Sequence, residues 1–309
     1  MPLNDRYRQQ VTLLVQTIPA VAEETCFALK GGTAINLFVR DMPRLSVDID
    51  LTFLPVSPRD ESLAAIEAAL LRIKKRIEGT IKSVRVAESR QADGTLTRLI
   101  VQQGRTQIKI EVTPVLRGCV FAQEIRSVSP AVEDEFGFAE IQVVSFADLY
   151  AGKIMAALDR QHPRDLFDIR DLLANEGITD ELRRGFIVYL ISHGRPIAEV
   201  LAPGRKDIKA EFEQNFEGMT VDDVALDSLL AAREQLVETI TGDMPAAHRE
   251  FLVGFKKGTP DWEKLGLPDA AELPAVKFKQ LNLDKLPKDV RAKFVERLSK
   301  VLGIEDGEG

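Results

Sequence analysis

The 309-residue sequence predicts an α+β protein, with a small mixed β-sheet domain over residues 1–144 and a mainly helical C-terminal domain over 145–309. Three observations lead there. Segments that alternate apolar and polar side chains, the period of a half-buried strand, are confined to the first half of the chain. Glycine-bearing turns join three of them in succession. After Val144 the apolar spacing changes to that of helices and stays so to Leu302.

Tyr7 to Glu24 places Val11, Leu14, Val15, Ile18, Val21 and Ala22 on one helical face, with a break or bend expected at Pro19. A short apolar run, Cys26 to Leu29, leads into Gly31-Gly32, and a helix is expected from Ala34 with Thr33 as its N-cap. Val47 to Phe53 alternates as a strand, closed by Pro55, Ser57 and Pro58. Asp60 to Ile77 is strongly amphipathic, with Gly79 as the expected stop. Three strands follow, Ser83 to Ser89, Leu96 to Gln102 and Thr106 to Val112, turning at Asp93-Gly94 and at Gly104. Ile141 to Val144 reads as one more short strand.

The second half reads as helices. Phe146 to Arg160 is expected to start from Ser145 as N-cap, with Asp148 placed close to a capping box. Pro163 begins Arg164 to Asn175, and Gly177 stops it. Further helices are expected over Asp180 to Ser192, Ile208 to Asn215, Val221 to Thr241, Ala246 to Phe255 and Lys288 to Leu302. Lys256 to Leu286, rich in Pro, Gly and Lys, reads as an extended connector, and Glu305 to Gly309 as a loose tail.

The chemistry concentrates between Leu29 and Thr52. Two glycines let the backbone bend tightly and approach a ligand, and free amides at a helix start make an anion site. Asp48 and Asp50, two apart on a strand, point to the same side. Neighbouring carboxylates repel, and a divalent cation resolves the conflict, since Mg²⁺ typically takes one or two carboxylates plus substrate phosphates. An isolated DxD would more often be a solvated acidic face. A glycine cradle, a helix and then DxD is what phosphoryl or nucleotidyl transfer needs. Glu111, on the polar face of its strand, is a candidate third carboxylate, or else part of a solvated face with Lys109.

Composition bounds the alternatives. Hydrophobic content of 45% and charged content of 29% are those of a globular protein. No run approaches the roughly 20 apolar residues of a membrane span. The polar N-terminus lacks a secretory apolar core, and Cys26 and Cys119 make neither a disulfide framework nor a zinc site, so cytoplasmic residence is expected. A net charge of −7 means that a nucleic-acid partner has to meet a local basic patch. Lys74-Lys75-Arg76, Arg183-Arg184 and Lys256-Lys257 with Lys277 and Lys279 are the candidates. In the third, Phe255, Trp262 and Phe278 lie among the charges and are expected to stack on unpaired bases.

A second constellation lies in the helical half. Lys153 is mid-helix, and Arg160, Arg164, Asp165 and Asp168 follow on the next elements. Arg164 and Asp168, four apart, share a helix face, for which a surface ion pair is the simplest account. The run RDLFDIRDLL sets three Asp among apolar residues, so at least one carboxylate is expected to be partly buried. Lys153 is suited to meet a triphosphate as a point charge, with Asp165 or Asp168 orienting it.

Gly31-Gly32-Thr33, Asp48-Ile49-Asp50, Lys109-Ile110-Glu111, Lys153 and Arg164-Asp165-Leu166-Phe167-Asp168 together resemble the AbiEii/AbiGii toxin family. These are DNA-polymerase-beta-like nucleotidyltransferases of bacterial toxin–antitoxin and phage-abortive-infection systems. The likeness is strong over Lys30 to Leu173 and thin beyond, and Thr33 stands where the family usually has Ser. It implies a Mg²⁺-dependent enzyme that moves NMP from an NTP, with GTP or CTP as candidates, to an RNA acceptor, the 3′ end of tRNA foremost. It also implies a cognate antitoxin. Asp48, Asp50, Lys153 and Asp168 would be catalytic. Asp48, Asp50 and Glu111 would hold metal. Gly31, Gly32, Thr33, Lys109, Lys153 and Arg164 would hold the nucleotide. Two alternatives stay open: a nucleotidyltransferase acting on a small molecule or a protein side chain, and a non-catalytic binding partner.

Overall fold

The computed structural model describes residues 5–304, so the expected loose tail at 305–309 lies outside the described residues. The chain forms two compact units, Met1–Ser145 with Gly218–Asp223, and Phe146–Glu217 with Val224–Gly309. The first unit thus recovers a six-residue segment from far downstream.

A seven-stranded mixed sheet organises the first unit. Its strands are β1 (Phe27–Lys30), β2 (Asp48–Phe53), β3 (Val84–Arg90), β4 (Leu96–Gln103), β5 (Thr106–Val112), β6 (Glu124–Ser127) and β7 (Glu140–Val143), in the order β3-β4-β5-β2-β1-β7-β6. β2 runs parallel to β5, and β1 parallel to β7, while the other neighbours are antiparallel. Period-2 alternation sorts the hairpin strands into two faces. Val86, Leu99, Val101, Ile108 and Ile110 are buried, on the side where α1 (Asp5–Ala22) and α3 (Arg59–Thr80) pack. Arg98, Lys109 and Glu111 point the other way, on the face that also carries Asp48 and Asp50.

Several boundaries differ from expectation for physical reasons. α1 continues through Pro19 without a break. The helix after β1 begins at Gly31, not Ala34: Gly31–Thr33 is its first turn, and Ala34–Val39 widens into a π-helix. Gly79 lies inside the last turn of α3 and does not stop it. The hairpin turns stand as expected, with Gly94 and Gly104 at positive φ.

The second unit is helical: α5 (Phe146–Asp159), α6 (Pro163–Asn175), α7 (Asp180–Ser192), α8 (Ile197–Leu201), α9 (Lys209–Asn215), α10 (Leu226–Val237), α11 (Ala246–Lys257), α12 (Pro274–Asp284) and α13 (Lys288–Leu302). The remaining helix of the first unit, α4, is Pro130–Phe136. Pairs α5 with α7 and α6 with α10 make the main contacts, around Tyr150, Phe186 and Phe216. Residues 221–225 are not helical, and the expected connector from Lys256 to Leu286 contains α12. Pro274 opens that helix at a position where its missing N–H costs nothing. Among the described residues no helix is long and apolar enough to cross a membrane.

Candidate active site

In the first unit the expected site residues converge on the polar face of the sheet. β1 delivers its last residue, Lys30, opposite Asp50. Gly31 then turns the chain with φ +76°, a conformation that favours glycine. A Cβ added at Gly31 would stand 2.6 Å from Asp50 Oδ2 and 3.2 Å from Asp50 Cβ. At Gly32 a Cβ would meet Ser46 Oγ at 2.8 Å and Arg44 Nη2 at 3.1 Å. Each glycine therefore lets polar side chains pack against the backbone where a Cβ would collide.

Thr33 has a different place from the one expected. Its side chain is fully buried and makes no cap hydrogen bond. Its hydroxyl donates to the Asp48 carbonyl at 2.5 Å and lies 3.1 Å from Ser46 Oγ. Thr33 thus fixes the start of β2 to the first helical turn and so positions Asp48.

The register then places the charges. Asp50 pairs with Glu111 and Asp48 with Lys109 across β2 and β5, while Glu111 pairs with Arg98 across β5 and β4. One row across four strands therefore reads Lys30, Asp50, Glu111, Arg98. Glu111 is held by Arg98, whose Nε and Nη2 donate to Oε1 at 2.7 and 2.5 Å. Lys30 Nζ donates to Thr113 Oγ1 at 3.0 Å. Burial pushes its pKa down, and the Asp50 carboxylate opposes that shift.

The donor set fits a hard divalent cation. Two half-exposed carboxylates share one face beside a helix start that a Cβ would fill. Among the described residues no three His, Cys, Asp or Glu side chains gather as a metal-binding set. Glu111, expected as a third ligand, stands beside Asp50 in the strand register and accepts from Arg98.

The second unit gathers Lys153, Asp165 and Asp168. The Lys153 ammonium, 6% exposed, lies 2.9 Å from Asp165 Oδ1 and 2.9 Å from Asp168 Oδ2, each 1% exposed. Arg160 adds two donors to Asp165, at 2.5 and 2.9 Å. Burial raises the Asp165 pKa, but Lys153 and Arg160 more than offset it, and the carboxyl lies well below the usual range. His162 caps α6 by accepting from the Arg164 N–H at 3.0 Å. Arg164 itself is exposed, whereas Asp168 is buried.

The C-terminal aromatic and basic cluster comes apart. Phe255 is 2% exposed and belongs to the core, so it cannot stack on a base. Trp262 packs edge-on against Phe251, with ring centroids 5.0 Å apart. Lys256 lies over the Phe294 ring at 4.7 Å, and Lys277 pairs with Glu272. Only Lys257 and Phe278, of the residues considered, remain exposed without such a contact. In the other two clusters Arg76 meets Glu23 and Glu24, buried Arg183 donates to the carbonyl of Thr239, and Lys75 is exposed.

Sequence reasoning passed over Lys30, Arg44, Ser46 and Arg98. Ser46 was reachable, since it continues the two-residue spacing of Asp48 and Asp50 backwards. Arg98 follows from counting the hairpin through Gly104. Lys30 and Arg44 depend on register and loop path, which single-strand periodicity does not carry.

The chain resembles MenT4, a nucleotidyltransferase toxin from Mycobacterium tuberculosis, with a TM-score of 0.59 and 16% identity over 90% of this chain and 92% of that one. At that identity the likeness speaks for the fold. No curated protein matches the sequence. The profile of the nucleotidyl transferase AbiEii toxins of type IV toxin–antitoxin systems matches residues 12–276, and the chain belongs to that family.

Proposed function

We propose that this nucleotidyltransferase toxin transfers NMP from an NTP, GTP or CTP, to the 3′ end of an RNA, tRNA foremost, and so blocks translation in a cytoplasmic toxin–antitoxin or phage-defence setting. Family membership implies an NTP substrate, typically a divalent metal, and a cognate antitoxin. The tRNA acceptor rests on the family resemblance.

One observation carries the reading: the close approach of Gly31 to Asp50, which brings the start of a helix against one carboxylate of the Asp48–Asp50 pair. The Gly31 and Gly32 backbone, with the Ser46 hydroxyl and the Arg44 guanidinium beside it, suits the β- and γ-phosphates. Asp48 and Asp50 would hold Mg²⁺, which when bound neutralises triphosphate charge and polarises the α-phosphate. The acceptor 3′-hydroxyl gives up its proton to solvent, and its oxygen forms the new bond to the α-phosphorus as the bond to the bridging oxygen breaks and pyrophosphate leaves. Lys109, beside Asp48 in register, is a proposed nucleotide contact. Lys153, Arg164 and Asp168 are proposed participants in the same reaction, with Lys153 contributing charge and Asp168 fixing its ammonium.

The test incubates purified protein with each labelled NTP, Mg²⁺ and total RNA. Transfer of label to an RNA band, lost in Asp48→Asn, is expected. Label on a small molecule or on protein would overturn the RNA acceptor, and no transfer with any NTP would overturn the reading of the site.

A further inference from the structure

The row Lys30, Asp50, Glu111, Arg98 is charge-balanced as it stands. Two carboxylates sit side by side in its centre, where like charges repel, and one cation closes each end. At one end the closure is loose. The Arg98 side chain is 44% exposed and Glu111 31% exposed, so water screens the pair. Both guanidinium donors also converge on the single oxygen Oε1, which leaves the fork of Arg98 without the two-oxygen match it makes best. A phosphate offers that match and carries more charge.

We propose that Arg98 holds Glu111 in reserve: the site presents two carboxylates to a divalent cation until a substrate phosphate takes the guanidinium, and Glu111 then becomes the third. This inference rests on the assignment of Asp48 and Asp50 as the metal-binding pair. It makes Arg98 a positioning residue that acts through Glu111. The phosphate is that of the NTP or that of the RNA backbone.

The experiment measures Mn²⁺ affinity of nucleotide-free protein by electron paramagnetic resonance. The variants are Arg98→Gln, Arg98→Lys, Glu111→Gln, the Arg98→Gln/Glu111→Gln double variant, and Asp48→Asn. Freed from its partner, Glu111 should tighten Mn²⁺ binding in Arg98→Gln by roughly fivefold. Arg98→Lys should fall between, because a point charge lacks the fork. The gain should vanish in the double variant. A second arm, without metal, titrates a non-hydrolysable NTP analogue and a short single-stranded RNA. Whichever loses affinity in Arg98→Gln is the phosphate source, and loss of neither overturns the proposal. Unchanged or weaker Mn²⁺ binding in Arg98→Gln, with Asp48→Asn unable to bind, overturns it alone and returns the pair to an ordinary surface ion pair. Retention of Mn²⁺ by Asp48→Asn instead overturns the reading of the site beneath it.

Discussion

Gly31→Ala tests whether the glycine turn serves the carboxylates. Two costs add. An L-residue held near φ +76° gives up about 1–2 kcal/mol. The new Cβ would also stand 2.6 Å from Asp50 Oδ2, well inside contact distance. Rotating the carboxylate does not remove the problem, since Asp50 Cβ is only 3.2 Å away, so either the Gly31 backbone or β2 has to shift. With overpacking typically at about 1–3 kcal/mol, the sum is roughly 2–5 kcal/mol. For a domain of this size class that lowers Tm by roughly 4–20 °C. The functional effect should exceed the structural one, because a displacement on the order of 1 Å at reacting groups can cost about 100-fold in rate. Calorimetry and single-turnover transfer, measured at a temperature where the variant stays folded, separate the two. Adding Asp50→Ala should recover part of the lost stability and none of the activity. Wild-type transfer by folded Gly31→Ala would refute the link between this turn and Asp50.

Asp48→Ala or Asp50→Ala should abolish transfer without unfolding the protein, and relief of repulsion should leave Tm unchanged or slightly higher; a clear fall in Tm would mark them as structural. Lys153→Ala should cost about 3–5 kcal/mol, because it strips a cation from two buried carboxylates, so nucleotide binding has to be compared with Tm before any catalytic conclusion. Lys153→Met/Asp168→Asn should recover part of that loss; no recovery would show that the lysine acts otherwise. Asp165 has a depressed pKa in the folded state, so its stabilisation is fully present above the unfolded value of about 3.9 and is lost as pH falls through the lower folded value. Denaturant unfolding between about pH 5 and 2 should therefore show a shallower slope for Asp165→Asn than for wild type, and equal slopes would contradict the ion-pair account.

The legible parts of the sequence were those with a period. Asp48 and Asp50 on one face, Glu111 on the strand beside them, and the helices of the second half all follow from spacing within one element. Short strands escaped for want of length: β1 offers four residues and read only as an apolar run, and β6 gave no signal at all. Proline and glycine misled wherever position in the helix decides their effect. Pro19 is accommodated within α1, Gly79 ends inside α3, and Pro274 starts a helix inside a segment read as extended. The deeper loss lay in pairing between elements. That Thr33 would serve the Asp48 carbonyl, that Arg98 would claim Glu111, or that Phe255 would be core depends on register and burial, which local pattern does not encode.

The six residues that return to the first unit set a schedule for its making. Thr220 bridges Arg44, the Leu45 amide donates to Met219, and the Val221 amide donates to Pro43, so a late stretch of chain clasps the loop that leads into Asp48. A ribosome that has finished all seven strands still holds a sheet whose loop into Asp48 is unclasped. The clasp is available only after another 70-odd residues of the second unit have been threaded out. Products truncated before that point should carry the sheet without a braced Asp48, so the loop into β2 reaches its final form only after most of the chain has emerged.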